Sequence, residues 1–340
     1  MRPNTRLTLS AAALSAFVAL APAKGTETFS LEDRILRVLI DSSAGGMTDT
    51  QTRILLEYME DYLPGDPAIV AQNRGGAIGM RALEYVAQID PTEELVFMSV
   101  SSSLPFDARR GLVDDRLYDP ETINWVGSFR GSAIYCVFST ESGIVSIDDL
   151  AERDVTMATA SASGRSYNLL WISNGAFGWN FVPVAGYGST PEMALAVARG
   201  EVDGLCSNYS TYQSMVAPLV EDGDAHVLFY MDNAPRDDID ALYLPDVLAG
   251  HEGLEFYQSA FAAMSFDGPY AVPAGADPGF VAVIREAFAA AVADPDFREA
   301  ADELGLDVVY KSGEELAETA NRIANLPDEL IEQMQALIPN

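Results

Sequence analysis

Short apolar runs alternate along this chain with stretches whose apolar residues recur at helical spacing. Residues 35–40 (ILRVLI) read as a strand, and residues 48–63 as a helix stopped by Pro64-Gly65. Residues 68–71 form a second short strand pattern and residues 78–88 a helical one. Residues 95–100 (LVFMSV) are almost continuously apolar, the pattern of a strand covered on both faces of its sheet. Further strand patterns fall at 133–138, 155–160, 181–184, 202–206, 227–231 and 270–272. Ser146 reads as the N-cap of a short helix. Ser189-Thr190-Pro191-Glu192 reads as a capping box before a helix at 193–199, with Gly200 as its stop. Asp277-Pro278 opens a helix over 280–293, and residues 314–337 are mostly helical in pattern. This rhythm predicts an α/β fold with mostly parallel sheets. Residues 232–253, rich in acids and turn formers, read as a surface connection. No linker-like tract divides the chain, so two domains joined by crossing strands fit better than two beads on a string.

The N-terminus changes the picture first. Arg2 and Arg6 precede an apolar stretch over 7–21, and Ala21-Pro22-Ala23 is an A-x-A cleavage signal, which predicts export with Lys24 as the new N-terminus. The apolar stretch is short for a membrane anchor. The net charge is −31, and losing Arg2 and Arg6 with the leader makes it −33. A field of that sign argues against nucleic acid and anionic lipid as partners. An acidic surface suits a saline environment; a cationic ligand is the other explanation. Cys136 and Cys206 both lie in strand-like runs. An oxidising compartment permits a disulfide between them, and buried free thiols fit equally. The absence of CxxC and of neighbouring histidines argues against a metal site.

Candidate chemistry gathers at two joints between a strand and a helix. Ser42, Ser43, Gly45, Gly46, Met47, Thr48 and Asp49 follow the first strand; Ser163, Gly164, Arg165 and Ser166 follow the strand at 155–160. A loop of small residues entering a helix presents backbone N–H groups to an anion, and glycine lets a ligand approach the main chain. Asp49 can brace its loop or contact a ligand hydroxyl or ammonium. Arg165 can hold a carboxylate with two parallel hydrogen bonds, or pair with one of the many acids. Ser101 and Ser102, with Ser99 and Ser103, lie at the C-terminal end of the 95–100 strand, where ligands of open α/β sheets bind. Tyr187, Ser207 and Asn208 end or follow other strands and complete the candidate set. No G-x-S-x-G elbow is present, and His226 and His251 show neither metal spacing nor a nucleophile nearby. The glycines at 75–79 do not form a dinucleotide fingerprint. Neither a metal nor a cofactor is expected.

Several short segments, in order, resemble the substrate-binding proteins of the tripartite tricarboxylate transporter family. They are Ala44-Gly45-Gly46-Met47-Thr48-Asp49 (family P-x-G-G-x-x-D), Asn73-Arg74-Gly75-Gly76-Ala77-Ile78-Gly79 (N-R-P-G-A-G-G) and Asn124-Trp125-Val126-Gly127-Ser128. Gly186-Tyr187-Gly188-Ser189 with Arg199-Gly200-Glu201-Val202-Asp203-Gly204, and Pro273-Ala274-Gly275 with Ala293-Asp294-Pro295, continue the series. The family prolines are replaced by Ala44 and Gly75, and a family glycine by Ile78. The resemblance implies a periplasmic-binding type II fold, with residues 24–130 and 250–340 in one lobe and 131–249 in the other. Strands near 133–138 and the segment before Gly253 would act as hinges. It also implies a monomeric extracytoplasmic receptor that captures a small carboxylate for a two-component membrane permease, not an enzyme. A ligand-sensing co-receptor for a membrane kinase and an exported hydrolase are the alternatives. N-terminal sequencing of exported protein should begin at Lys24; material retaining Met1 would show that the leader is not processed.

Overall fold

The computed structural model describes residues 29–339, apart from residues 43, 75–79, 161, 163–164, 188–189, 210–211, 213–215 and 238. The leader and its cleavage signal lie outside the described residues. Among the described residues, twelve strands form two six-stranded sheets. The first contains β1 (Ile35–Ile40), β2 (Ala68–Asn73), β3 (Leu95–Ser99), β4 (Asn124–Arg130), β11 (Tyr270–Val272) and β12 (Val308–Ser312), in the order β12-β4-β11-β3-β1-β2. The second contains β5 (Ile134–Ser139), β6 (Val155–Thr159), β7 (Phe181–Ala185), β8 (Gly204–Asn208), β9 (Ala225–Met231) and β10 (Leu242–Tyr243), in the order β10-β9-β5-β8-β6-β7. The chain thus builds most of one sheet, crosses once between β4 and β5, completes the other, and returns into β11.

The two sheets share one orientation rule. β1 to β4 all run the same way, while β11 and β12 oppose them. In the second sheet only β5 opposes the other five strands. The reversed strands β5 and β11 are those by which the chain enters a lobe from the other one. β5 and β11 start at the inter-lobe side and run away from it; β12 runs the same way as β11, and the other strands run towards the crossings. The βα rhythm therefore gives two mixed α/β sheets: most strands of each sheet share one direction, but half of the neighbouring pairs are antiparallel, those made by β5, β11 and β12.

Burial follows the pattern of the sequence. Every residue of β3 is buried, as its continuous apolar run requires. Phe97, Phe129, Tyr270 and Phe288 cluster under the first sheet, with Phe97 and Phe129 both stacked on Tyr270. Trp179, Phe181 and Phe229 pack together in the second lobe. The helix Pro278–Ala293 begins where expected, with the Asp277 side chain accepting from the Gly279 N–H. Ser146 does not cap its helix: the helix is Asp149–Glu152, and the Asp149 carboxylate accepts from the N–H groups of Val145 and Ser146 instead. Two strands of the first sheet, β4 and β12, carry no clean strand pattern. β4 contains Gly127, whose missing side chain makes room for Phe288 and the Lys311 carbonyl.

The helix Leu254–Met264 packs on the helix Arg165–Phe177 on the return path. Their approach is close: a side-chain carbon at Gly253 would lie 1.9 Å from the Ala176 carbonyl oxygen. β5 and β8 pair antiparallel with Cys136 opposite Cys206, and the two sulfurs are bonded. This settles the choice between disulfide and free thiols. The bridge closes a loop over a sequence separation of 70. The double replacement Cys136→Ser, Cys206→Ser should therefore cost about 2–4 kcal/mol in denaturant unfolding, mainly through the freer unfolded chain. A loss under about 0.5 kcal/mol, the size of an ordinary surface substitution, would mean that the cross-link adds nothing to the pairing of the two strands.

Candidate functional site

The strands that run towards the crossings end around one cleft of about 860 Å³. Asp41 follows β1, Ser99 ends β3 and Arg130 ends β4, all from the first sheet. Thr159 ends β6 and Ser207 and Asn208 end β8, from the second. Ile134 and Tyr270, the first residues of β5 and β11, line the same space. The cleft therefore lies between the lobes, at the carboxyl ends of the sheets, the position where open α/β sheets hold ligands.

Of the residues singled out in the sequence, Thr48, Ser101, Ser102, Arg165, Ser166, Ser207 and Asn208 line this cleft. Ser42, Gly45, Gly46, Met47, Asp49 and Tyr187 do not. Ser43, Ser163 and Gly164 lie outside the described residues. Met47 is 54% exposed, and Tyr187 packs at the edge of the second-lobe core. Gly45 is needed for its backbone: its φ of 78° lies in the left-handed region that glycine tolerates.

Asp49 braces the first joint. Its carboxylate accepts from the Gly45 N–H at 2.8 Å, from Arg53 Nε at 2.8 Å and from Asn73 Nδ2 at 2.9 Å. Asn73 also donates to the Ser42 carbonyl at 3.1 Å. The hydrogen bond from Gly45, helped by Asn73 and Arg53, holds the Asp49 carboxyl below the usual carboxylate range despite its burial. A neighbouring hydroxyl system orders the same helix: Thr52 donates to the Thr48 carbonyl at 2.7 Å and lies 2.9 Å from the Tyr270 hydroxyl. Gln51, only 2% exposed, reaches the cleft from the next turn.

Arg165 is engaged by protein. Its Nη1 donates to both Asp267 oxygens at 2.8 Å and to the Met264 carbonyl at 3.3 Å; its Nη2 donates to the Ser132 carbonyl at 3.3 Å. Both side chains are mostly buried, at 18% and 9% exposure. Ser132 lies on the outward crossing and Asp267 on the return, so one guanidinium ties the second-lobe helix to both connections. Ser102 has a similar role, accepting from the Gly268 N–H at 3.1 Å. Ser101 is paired with Ser103 at 3.1 Å.

The charged lining groups that the sequence did not single out are Asp41, Asp107, Arg110, Arg130 and Asp267; Asp107 lies near Arg110 and Asp267 holds Arg165, which sets Arg130 and Asp41 apart. Arg130 lines the cleft and forms no side-chain ion pair or hydrogen bond among the described residues. Its aliphatic stem lies over Gly268, where an added side-chain carbon would be 2.3 Å from Cδ. Asp41 shares a reciprocal pair with Ser99: the Asp41 N–H donates to Ser99 Oγ at 3.0 Å, and Ser99 Oγ donates to Asp41 Oδ1 at 2.8 Å. Burial raises the Asp41 carboxyl above its ordinary range, against the pull of Ser99, its own backbone N–H and Arg130. The signal for Arg130 in the sequence is slight: a cation at the end of a strand followed by Gly131-Ser132. The chemistry offered is one cation, neutral hydroxyls and amides, and a carboxyl that resists ionisation. No cluster of potential metal ligands occurs among the described residues.

No protein-family profile matches the sequence, and no curated protein matches it. Solved structures do match the fold. A TctC solute-binding protein from Polaromonas superposes with a TM-score of 0.70 at 16% identity, over 88% of this chain and 98% of that one. MatC from Rhodopseudomonas palustris, with bound malate, gives 0.58 at 19% identity over 92% and 100%. An adipate-bound protein from R. palustris gives 0.59 at 17% over 89% and 97%. The fold is that of two-lobed periplasmic solute-binding proteins, and its structural neighbours include TctC-type receptors.

The brace at Asp49 yields a pH test. Its carboxyl has a lower pKa folded than the 3.8 of its ordinary state, so its stabilisation is complete above the unfolded value and lost as pH falls through the folded one. Asp49→Ala should cost roughly 1–3 kcal/mol near neutrality by leaving three donors without their acceptor. The difference from the parent protein should stay level above about pH 5 and shrink in more acid solution. An equal difference at pH 3 and pH 7, measured by denaturant unfolding, would show that the carboxylate charge is not what holds the loop.

Proposed function

We propose that this protein is an extracytoplasmic receptor that captures a small carboxylate between its lobes and passes it to a two-component membrane permease. The observation that carries this reading is the inter-lobe cleft at the strand ends, with Arg130 as a cation that forms no side-chain ion pair among the described residues. The bound malate of MatC and the bound adipate of the second R. palustris protein support it, since both share this two-lobed fold. A ligand contacting both lobes favours the closed arrangement by its differential affinity for it. The crossing between β4 and β5 and the return before β11 serve as hinges, with residues 24–130 and the C-terminal part on one side and the middle of the chain on the other. The protein acts as a monomer, releases its ligand unchanged and reaches its compartment through the leader, cut after Ala23. No helix among the described residues is long and apolar enough to cross a membrane.

Thermal melting with a panel of small mono-, di- and tricarboxylates is the test. A true ligand at a hundred times its Kd stabilises the folded state by about 2.7 kcal/mol, a rise of several degrees. A panel in which no anion moves the transition would overturn the proposal. Loss of uptake of the same acid on deletion of the gene would tie the receptor to transport.

A further inference from the structure

We infer that the cleft is built for a hydroxy-monocarboxylate, with one carboxylate held by Arg130 and hydroxyl groups received by Ser207 and Asn168. The inference rests on the carboxylate reading above and narrows its ligand class.

The argument begins with the cations. Arg110, Arg130 and Arg165 are the basic residues among those lining the cleft, against Asp41, Asp107 and Asp267. Arg165 is held by both oxygens of Asp267. Arg110 lies 3.8 Å from Asp107 and over the Phe106 ring. That leaves Arg130 as the cation available to a full negative charge on a ligand. A second carboxylate would find no further unpaired cation among the described residues lining the cleft, in a chain already carrying a net charge of −31. Like charges within a few ångströms in a cleft of reduced dielectric repel strongly, so each further ligand charge without its own cation weakens binding.

The second-lobe wall asks for something neutral. Ser207 is 6% exposed, and its Oγ is buried without a hydrogen-bond partner. Asn168 Oδ1 is buried in the same unpaired state, and both residues line the cleft. Buried polar groups are almost always paired in native proteins, and two atoms without a partner among the described residues, on side chains that line one cavity, point to a ligand that completes them. A hydroxyl both donates and accepts, so it can satisfy either the serine or the amide. A carboxylate only accepts, and it would leave Asn168 Oδ1 facing another acceptor. Asp41 adds to this wall from the first lobe. Its Oδ1 is taken by Ser99, and the residue lines the same cleft.

The test uses acids matched in carbon number and differing in one terminal group: glycerate with tartronate, threonate with tartrate, and gluconate with glucarate. Calorimetry on the full mature chain should give a hydroxy-monocarboxylate at least tenfold tighter than its diacid in at least one pair. Arg130→Gln should weaken that ligand by a further tenfold or more. Ser207→Ala should weaken it severalfold while leaving the melting temperature of the ligand-free protein unchanged or higher, because the orphan hydroxyl is gone. Diacids equal to or tighter than their partners would overturn the inference and leave the carboxylate receptor standing. Binding confined to carboxylates that lack hydroxyls would do the same. Serine binding more tightly than glycerate would move the recognition to an ammonium on Asp41, and would also overturn it. If no carboxylate binds at all, the receptor reading falls with it.

Discussion

One guanidinium holds the architecture of this cleft together. Arg165 enters from the second lobe and grips Asp267 on the return path and the Ser132 carbonyl on the outward one. The two connections are where the chain passes between the sheets, and both are anchored to the start of one helix. Arg236 and Asp307 form a second bridge between the lobes: Asp307 precedes β12 of the first sheet, and its main-chain oxygen accepts from Gly131 on the outward crossing. Removing either arginine would leave a largely buried aspartate without its counter-charge, a far more costly change than losing an exposed pair.

These bridges explain how a strongly acidic protein can still offer a cation to a ligand. Arginines are scarce relative to acids, and most are engaged: Arg53 with Asp49, Arg153 with Asp203, Arg165 with Asp267, Arg236 with Asp307. Arg130 is set apart by its neighbours. Its stem is packed against Gly268, and the carboxyl it influences, Asp41, is buried and already bonded to Ser99. Burial raises the Asp41 carboxyl above its ordinary range, which weakens its competition for the guanidinium.

Much of the fold was legible because its causes are local. The continuous apolar run of β3, the Pro-Gly stop after Leu63 and the aspartate cap at Asp277 each act within a few residues. β4 and β12 were not legible. Their residues are strands because they fill the first sheet next to β11 and pack on Phe288, a long-range demand that overrides their weak pattern. The serines at the end of β3 and the polar end of β8 were readable as cleft residues from position alone. Asp49 was readable as a loop brace or a ligand contact, and only its three donors decide for the brace.

The sequence by itself determined the α/β rhythm, the acidic balance, the leader pattern and the two joints where helices begin beside glycine. All of these depend on periodicity, composition or contacts between near neighbours. Tertiary structure alone decided which arginine is free. Arg165 and Arg130 look alike in the chain, each a cation beside small residues at an element boundary. Asp267 lies 102 residues from Arg165 and neutralises it, while no carboxylate does the same for Arg130 among the described residues. Charge pairing between distant segments is fixed by how the lobes close on their crossings, and no local pattern encodes that distance.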